Sequence, residues 1–408
     1  MKKTLLVQVP VFIAIRTVLS TMVRMVYPFL PVFGRGLGVD LYLLSYALTL
    51  RSASGIFGPF LASVGDSRGR KFGMLFGLVL FTTGAAALFI RPTYPAFIAM
   101  LIFGIIANFV FISSMQAFLG DRVPYERRGL VMALTEFGWA FAFILGVPAV
   151  GLIISRNGWQ APFIWLAALG VISLFVLHWL LPWDRPHSGQ TNNFWHNLRG
   201  VFTYGPAVAG LLLAMCLTSS NELVNLIFGV WLEDTFQVKI AALAAASAVI
   251  GLSELGGEGL VTAFVDRLGK RRSVGIGLIL NSVAAFALLW LGRSLTGAMI
   301  GLFFFYLTFE FTIVSALPLM TEVFPAARAT FMSLFLASTA LGRALGSLAA
   351  PWLYTFGRLW EAMPSLLIII LAAMALDMAA LIALRAVHEH GARAVDSTDD
   401  SGVIPIKS

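Results

Sequence analysis

The chain consists largely of long apolar runs separated by short polar loops. A helix needs about 20 apolar residues to cross a hydrocarbon layer ~30 Å thick. Hydrophobic residues make up 59% of the 408 residues and charged residues only 12%, which is about half the charged fraction of a typical soluble protein. We therefore predict an all-α integral membrane protein with twelve transmembrane helices, numbered 1 to 12, over approximately residues 8–33, 41–65, 72–90, 95–119, 129–154, 161–182, 206–232, 240–265, 273–291, 295–320, 329–355 and 363–386.

A charged loop occurs twice in the chain, with an offset of 200 residues. One copy lies between helices 2 and 3, and the other lies between helices 8 and 9. Gly77 and Gly277, like Gly146 and Gly346, extend the match beyond the loops. Such a repeat predicts two six-helix bundles related by an axis along the membrane normal. The matched loop residues are Asp66, Gly69, Arg70 and Lys71 in the first copy and Asp266, Gly269, Lys270 and Arg271 in the second.

A polar segment separates the two repeats. It predicts an N-terminal bundle over 1–182, a linker over 183–204, a C-terminal bundle over 205–386 and a polar tail over 387–408. The loops and termini on the side of both chain ends contain 18 Lys and Arg residues, and the other side contains six. Because cytoplasmic loops are the more basic ones, we predict that the termini, the linker and both charged loops lie in the cytoplasm.

Several function classes are not indicated by the sequence. The net charge of +8 comes from short loops rather than from one basic face, so nucleic acid is not an expected partner. The chain has no phosphate-binding Gly-x4-Gly-Lys-Ser/Thr run and no evident Ser-His-Asp set. His388 and His390 have the wrong spacing for a helical zinc site, and Cys216 is the single cysteine. We therefore expect neither an enzyme, nor a metal site, nor a bound cofactor.

The repeated loop and the twelve predicted helices resemble the major facilitator superfamily over nearly the whole chain. The superfamily loop between helices 2 and 3 runs roughly Gly-x-Leu-Ala-Asp-Arg-x-Gly-Arg-Arg/Lys. Residues 62–71 keep its Asp, its second Gly and its basic pair, while Ala62 and Ser67 replace the first Gly and the first Arg. The resemblance implies a secondary transporter in which two bundles rock around a central cavity. It also implies a cytoplasmic gate, formed by Asp66, Arg70 and Asp121 and, through the repeat, by Asp266, Lys270 and Glu322.

Helices 5 and 1 carry further resemblances. Gly146, Pro148 and Gly151 are similar to a Gly-Pro-x-x-Gly-Gly motif of exporters in this superfamily, which implies a hinge in helix 5. Pro28 and Pro31 are similar to the Pro-x-x-Pro of twelve-helix drug exporters. These matches favour proton-coupled efflux (antiport) of a small organic molecule. Two alternatives stay open: proton-coupled uptake (symport) of an anionic or zwitterionic metabolite, and a membrane sensor that transports nothing.

Ten ionisable residues lie within the apolar runs, where each costs at least ~2.5 kcal/mol at the centre of an isolated helix. We therefore expect them to face protein or a water-filled cavity. In the superfamily, helices 1, 2, 4, 5, 7, 8, 10 and 11 surround the cavity. Asp377, in helix 12, is the one exception to this placement. The other nine residues are Arg16, Arg24, Arg51, Glu136, Glu222, Glu254, Glu258, Glu310 and Arg343.

Arginines dominate the first half of this set, and glutamates dominate the second half. Arg24 and Glu222 lie at nearly equivalent depths in the two repeats, as do Arg51 and Glu254. A basic wall is therefore expected to face an acidic wall. Either ion pairs across the cavity or the binding of a charged or zwitterionic substrate fits this arrangement.

Acidic side chains of the cavity are the predicted proton carriers. Apolar surroundings favour the neutral form of a carboxylic acid, and a neighbouring arginine favours the ionised form. A movement that separates the two groups can therefore bind or release a proton. We predict Glu222, Glu310 and Glu254 as carriers, and for Arg16 we favour a structural ion pair with Glu136 or Glu258. The wider predicted coupling set adds Arg24, Arg51, Glu136 and Arg343.

Aromatic residues of helices 5 and 10 are expected to contact lipid, or otherwise a lipophilic ligand. The expected partners are a small-molecule substrate, protons and the lipid bilayer. We expect a monomer in a bacterial cytoplasmic (inner) membrane, with the proton gradient as its energy source.

Overall fold

The computed structural model of the protein describes residues 3–57, 68–182, 194–324, 328–359 and 365–387. These residues are almost entirely helical, and none of them lies in a β-strand. Eleven helices in this part of the chain are long and apolar enough to cross a membrane. The remaining predicted one, helix 2, is described over the 15 residues Leu41–Gly55.

The described helices follow the order predicted from the sequence. In the first half they are helix 1 (Lys3–Arg24 and Leu30–Leu37), helix 2 (Leu41–Gly55), helix 3 (Arg70–Ile90), helix 4 (Tyr94–Arg122), helix 5 (Tyr125–Phe141, then Ala142–Gly146 and Val147–Asn157) and helix 6 (Ala161–Leu180). In the second half they are helix 7 (Gly205–Phe236), helix 8 (Ile240–Leu268), helix 9 (Lys270–Leu291), helix 10 (Leu295–Val323), helix 11 (Arg328–Arg358) and helix 12 (Leu367–Ala386).

The predicted linker contains a short helix, Phe194–Thr203, which packs on helices 7 and 11. Val201 of this helix is fully buried, and the ring of Tyr204 lies 5.7 Å from that of Phe324. Residues 183–193 of the linker and residues 388–408 of the tail lie outside the described part of the chain.

The sequence repeat is also a repeat of packing. A Cβ atom added to Gly77 would lie 3.3 Å from the backbone N of Phe111, and one added to Gly277 would lie 3.2 Å from the ring of Phe311. Helix 3 therefore approaches helix 4 as helix 9 approaches helix 10, because both contacts need a residue without a side chain.

Helix 1 is interrupted between Arg24 and Leu30. Pro28 and Pro31 have no N–H group to donate, so the regular i→i−4 hydrogen bonds cannot continue through this stretch. The interruption packs against helix 7 of the other half. A Cβ atom on Gly229 would lie only 2.7 Å from the carbonyl oxygens of Tyr27 and Pro28, so the backbones touch here.

Helix 5 also changes geometry near its middle. A π-helical turn, Ala142–Gly146, precedes Pro148, and such turns are frequent at functional sites. A Cβ atom on Gly146 would collide with Thr21 of helix 1, and one on Gly151 would lie 2.9 Å from Ala244 of helix 8. The three predicted hinge residues thus lie at or just beyond the irregular turn, and Gly151 lies at the contact between the halves.

Contacts between the two halves concentrate at the end of the bundle opposite the charged loops. The Tyr42 hydroxyl donates to Thr355 Oγ1 at 3.0 Å, and Arg35 forms an ion pair with Glu233 at 2.5 Å. One cluster of buried apolar residues extends across both halves, whereas a second cluster is confined to the second half near its charged-loop end. The halves are therefore joined at one end and separate toward the other, which we call the charged-loop end (residues 68–71 and 266–272).

Candidate functional site

A cavity of about 640 Å³ lies between the halves. Its lining residues come from helices 1, 2, 4, 5, 7, 8, 10 and 11, the set expected from the superfamily resemblance. The lining extends from the level of Tyr27 and Arg51 to that of Arg16 and Leu336, toward the charged-loop end. We call its inner end, around Tyr27 and Arg51, the apex of the cavity.

Most of the predicted coupling residues face this cavity. Arg24, Arg51, Glu136, Glu254, Glu310 and Arg343 all line it, and so does Arg16. Glu222 lies behind the apex with its side chain fully buried. The structure therefore brings the whole coupling set together from seven different helices.

A direct ion pair joins the halves through Arg24 of helix 1 and Glu254 of helix 8. Both side chains are more than nine-tenths buried. The Arg24 guanidinium also donates to the carbonyl of Trp139 at 3.0 Å, and it lies over the Phe143 ring, 3.5 Å from the centroid. Aromatic faces attract such a cation, so this arginine is held from three sides.

A second connection between the halves centres on Glu222 of helix 7. Oε1 accepts hydrogen bonds from the Tyr27 hydroxyl and from Ser347 Oγ, both at 2.9 Å. Oε2 accepts from Asn225 at 3.3 Å and from Arg343 at 3.5 Å. One carboxylate thus links helix 1 of the first half to helices 7 and 11 of the second.

Tyr27 extends this connection to Arg51, which the prediction from sequence did not anticipate. The Arg51 guanidinium donates to the Tyr27 oxygen at 2.5 Å and to the carbonyl of Val23 at 3.1 Å. Tyr27 therefore lies between a cation of helix 2 and an anion of helix 7. Its place beside Pro28 in the interruption of helix 1 was the one signal that could have indicated it.

The two connections are related by the repeat, with their charges reversed. In one, the cation Arg24 of helix 1 meets the anion Glu254 of helix 8. In the other, the anion Glu222 of helix 7 reaches the cation Arg51 of helix 2 through Tyr27. Of the two arrangements that the sequence left open, ion pairing across the cavity is therefore present.

Arg16 and Glu136 form an ion pair within the first half, as favoured from the sequence. A second contact between them measures 2.7 Å, and Gln116 donates to Glu136 at 3.4 Å. Because Glu136 is occupied by a partner in its own half, it contributes nothing to the contact between the halves.

Glu310 differs from the other charged residues of the cavity. It is half-buried, and in the part of the chain that the structure describes it has neither a hydrogen bond nor an ion pair. Gly257 lets helix 8 approach it, since a Cβ atom there would lie 2.8 Å from the Glu310 Cβ. Glu310 is thus a carboxylate that faces the cavity without a neutralising contact.

Asp377 lies outside the cavity, as expected, and its contacts stay within the second half. It is buried and accepts hydrogen bonds from Asn281 at 2.9 Å and Ser282 at 3.3 Å. These contacts join helix 12 to helix 9, which indicates a structural role.

Aromatic residues divide between the cavity and the outer surface. Trp139 and Phe143 of helix 5 and Tyr306 and Phe309 of helix 10 line the cavity. Phe304, by contrast, is exposed on the outside of the bundle. Members of this aromatic set therefore lie both in the cavity wall and on the outer surface of the bundle.

A sequence profile described as Major Facilitator Superfamily matches residues 12–317 and 210–405. The chain belongs to this superfamily. YceJ, an MFS-type transporter of Bacillus subtilis, is 30% identical over 328 residues, which are 78% of this chain and 79% of YceJ. The quinolone resistance protein NorA of Staphylococcus aureus is 25% identical over 218 residues, which are 50% of this chain and 54% of NorA.

Solved structures of other proteins show the same fold. The D-xylose–proton symporter matches with a TM-score of 0.75 at 17% identity, covering 95% of this chain and 99% of the symporter. An inward-facing, unoccupied bacterial homologue of the lysosomal transporter Spinster matches with a TM-score of 0.74 at 14% identity, covering 95% of both chains. The predicted twelve-helix superfamily fold is confirmed, and the protein is a multi-pass membrane transporter that works by alternating access.

The gate residues of this superfamily member form ion pairs within each half. Arg70 Nε lies 3.6 Å from Asp121 Oδ2 in the first half, whereas Asp66 lies outside the described residues. In the second half Lys270 pairs with Glu322. Asp266, which the sequence placed in the same gate, is exposed and makes no ion pair with the described residues. Both pairs are present in the described conformation, in which the cavity extends toward this end.

The remaining loop residues explain why the repeat persists in this superfamily member. Gly69 and Gly269 have φ angles of +102° and +84°, which favour glycine, and each precedes a helix. Lys71 donates to the carbonyls of His178 and Leu181, both at 2.7 Å, at the end of helix 6. Arg271 donates to the carbonyl of Arg385 at 2.9 Å, at the end of helix 12. A cation that binds terminal carbonyls stabilises a helix end.

Proposed function

We propose that the protein is a proton-coupled efflux transporter (antiporter) of a small organic molecule. The observation that carries the proposal is Glu222, a fully buried carboxylate that accepts hydrogen bonds from both halves at the apex of the cavity. The similarity to the quinolone resistance protein NorA and the largely apolar wall around Trp139 and Phe143 favour export of a drug-like compound.

Protonation of Glu222 would weaken the connection between the halves. The neutral acid attracts Arg343 less strongly and is a poorer acceptor for the Tyr27 hydroxyl, since hydrogen bonds to a charged group are about twice as strong as neutral ones. The helix 1 interruption would then be held to helix 7 mainly by its backbone contact with Gly229. The proton would thus shift the balance between the two open states.

Glu310 and Glu254 would act as further carriers at the cavity surface. Glu310 contacts no cation among the described residues, so it can take up a proton without breaking an ion pair there. Glu254 is bound to Arg24, and protonation there would release the direct connection. With one carrier at the apex and one in the wall, the conformational change would depend on whether the cavity wall is protonated.

Orientation completes the proposal. We propose that both termini and the charged-loop end face the cytoplasm of a bacterium, so that the described conformation opens inward and the substrate is loaded from inside. Gly146, Pro148 and Gly151 would form the hinge of helix 5, and the two gate pairs would keep each half rigid. We further propose that the protein acts as a monomer in the inner membrane, without a bound cofactor.

Reconstituted vesicles test the role of Glu222. Glu222→Gln should retain substrate binding but lose the dependence of transport on an imposed pH gradient, and Glu310→Gln should reduce it. Asp234→Asn is the matched control, because Asp234 pairs with Arg358 outside the cavity and within the second half. Unchanged dependence on pH in both cavity variants would remove these residues as carriers.

Proton-coupled uptake of an anion is the second candidate, because four arginines line the cavity: Arg16, Arg24, Arg51 and Arg343. The direction of proton movement relative to substrate movement distinguishes the two candidate functions. In inverted vesicles the exporter should release protons from the lumen when substrate is added outside, and a symporter should move protons and substrate in the same direction. Arg24→Ala combined with Glu254→Gln, which leaves no unpaired buried charge from this ion pair, should abolish the binding of an anionic substrate in the uptake case only.

A further inference from the structure

We propose that the transported compound is a zwitterion: an aromatic or lipophilic body that carries one carboxylate and one amine. The carboxylate would bind Arg343, the amine would bind Glu310, and the body would pack on the aromatic wall between helices 5 and 10. This inference rests on the proposed function, because it takes the central cavity as the substrate site.

Some charged residues of the cavity are neutralised by an ion pair, and others are not. Arg24 is neutralised by Glu254, and Arg16 is neutralised by Glu136. Each of these ion pairs is complete without a ligand. The charged groups that remain are Arg51 and Arg343, which share the single carboxylate of Glu222, and Glu310, which has no partner among the described residues.

Arg343 is the under-neutralised cation that a ligand can reach. Its Nη1 lies 3.5 Å from Glu222, at the outer limit of a hydrogen bond. Glu222 already accepts shorter bonds from Tyr27 and Ser347. The Arg343 side chain is 33% exposed and lines the cavity, whereas Arg51 is buried. A planar guanidinium of this kind suits a carboxylate.

Glu310 supplies the opposite charge on the neighbouring helix. Glu310 and Arg343 line the same cavity, yet the structure shows no ion pair between their side chains among the described residues. The other charged groups around Glu310 are Glu254 and Glu258 of helix 8 and Arg24 of helix 1. Since Arg24 is already paired with Glu254, the local balance near Glu310 favours a cation.

Six polar atoms of lining residues have no hydrogen-bond partner among the described residues, and two of them, Glu254 Oε2 and Asn221 Nδ2, lie in the wall formed by the second half. Both side chains are more than nine-tenths buried and line the cavity. Unsatisfied buried polar groups are rare in proteins. An acceptor and a donor left open in one wall fit a ligand that carries both kinds of group.

The proposal links substrate to proton. A ligand amine and a proton would compete for Glu310, so loading the substrate would displace the proton from that carboxylate. A ligand carboxylate would compete with Glu222 for Arg343 and so weaken the apex. A simple lipophilic cation would have only the first effect, and an organic anion only the second.

Three dyes with nearly the same xanthene body provide the test: rhodamine 110, which has amines and a free carboxylate, its methyl ester rhodamine 123, which is a cation, and fluorescein, which is an anion. Binding to purified protein in nanodiscs would be measured by fluorescence polarisation at one fixed pH without a gradient. We expect rhodamine 110 to bind about tenfold more tightly than either of the other dyes, because each charged contact contributes at least that factor.

Variants assign the two contacts. Arg343→Gln should remove the preference for rhodamine 110 over its ester, and Glu310→Gln should remove the preference over fluorescein. Arg358→Gln is the control, since it removes an arginine that lies outside the cavity and pairs within the second half. All variants are compared only if they remain monodisperse. Equal affinity for the ester, equal affinity for fluorescein, or no binding of rhodamine 110 above that of empty nanodiscs would each overturn the proposal. Because no gradient is present, these outcomes are independent of whether Glu222 couples transport to protons.

Discussion

The two connections between the halves use the same residue types in different ways. Arg24 meets Glu254 directly and is enclosed by Trp139 and Phe143. Glu222 reaches Arg51 only through the hydroxyl of Tyr27 and has Arg343 as a second, more distant cation. The direct connection depends on two charges, whereas the relayed one depends on a neutral hydroxyl that both charges share.

This difference indicates a division of labour. A buried ion pair that loses one partner leaves an uncompensated charge. The direct connection is therefore strong, but the loss of either residue destabilises the protein. The relayed connection has several weaker contacts, and it can lose one at a time. We therefore expect the direct pair to fix the relative position of the two halves and the relayed contacts to respond to protonation.

The largest expected effect comes from breaking the direct connection. Arg24→Ala should destabilise the protein by about 3–5 kcal/mol, because Glu254 would remain charged and buried. The measurement is the midpoint of thermal unfolding in detergent. Adding Glu254→Gln should restore much of the loss, since it removes the unpaired charge; a double variant as unstable as the single one would contradict a pairwise connection.

Tyr27→Phe should have a smaller effect that concerns the balance between states. It keeps the ring but removes a hydrogen bond to a charged group, about 1.5–3 kcal/mol. With Cys216 replaced and spin labels at the exposed positions 68 and 267, the label-to-label distance should become shorter on average and lose its response to pH. Tyr306→Phe is the control, because its hydroxyl donates to Asn225 within the second half; an equal change in both variants would refute a special role for Tyr27.

The backbone contact beside Tyr27 gives a third prediction. Gly229→Ala would place a methyl group 2.7 Å from two carbonyl oxygens of helix 1, and overpacking typically costs about 1–3 kcal/mol. We expect a lower unfolding midpoint and a shift away from the described conformation. Gly259→Ala, where nothing lies within 4 Å of the new atom, should leave both quantities unchanged.

The smallest effect is expected at the charged-loop end. Lys270→Gln removes an ion pair whose side chains are about one-third exposed, and exposed pairs contribute about 0–1 kcal/mol. Stability should change little, and the label-to-label distance should stay the same because the pair lies within one half. A large change in that distance would mean that the gate pair also acts between the halves.

Much of the fold follows from the sequence because its cause is local. Twelve apolar runs, a repeated loop with Gly69 and Gly269, and the proline pairs of helix 1 each restrict the backbone near themselves. The set of helices that line the cavity also agreed with the family resemblance. The positions of the residues within their predicted helices also placed Arg24 at nearly the same membrane depth as Glu222, and Arg51 at nearly the same depth as Glu254.

The choice of partners could not be obtained in this way. Arg24 pairs with Glu254 rather than with its counterpart Glu222, because helix 8 packs on helix 5, which also contacts helix 1, whereas helix 2 packs on helix 11. Asp266 is exposed although its spacing to Lys270 suits a pair. Tyr27 could not be predicted as a connecting residue, because a tyrosine in an apolar run most often only packs against its neighbours. Its role becomes evident only from the positions of Arg51 and Glu222 on either side of its hydroxyl.

The sequence by itself therefore determined that the chain crosses a membrane in two similar halves and that its buried charges must face protein or a water-filled cavity. Hydrophobic length and side-chain hydration act on each helix separately, so a linear pattern is enough to reveal them. Only the tertiary structure decided which charges pair, which hydroxyl joins them and which cavity carboxylate lacks a partner among the described residues. Those contacts depend on distances between helices far apart in the chain, and a one-dimensional pattern does not contain such distances.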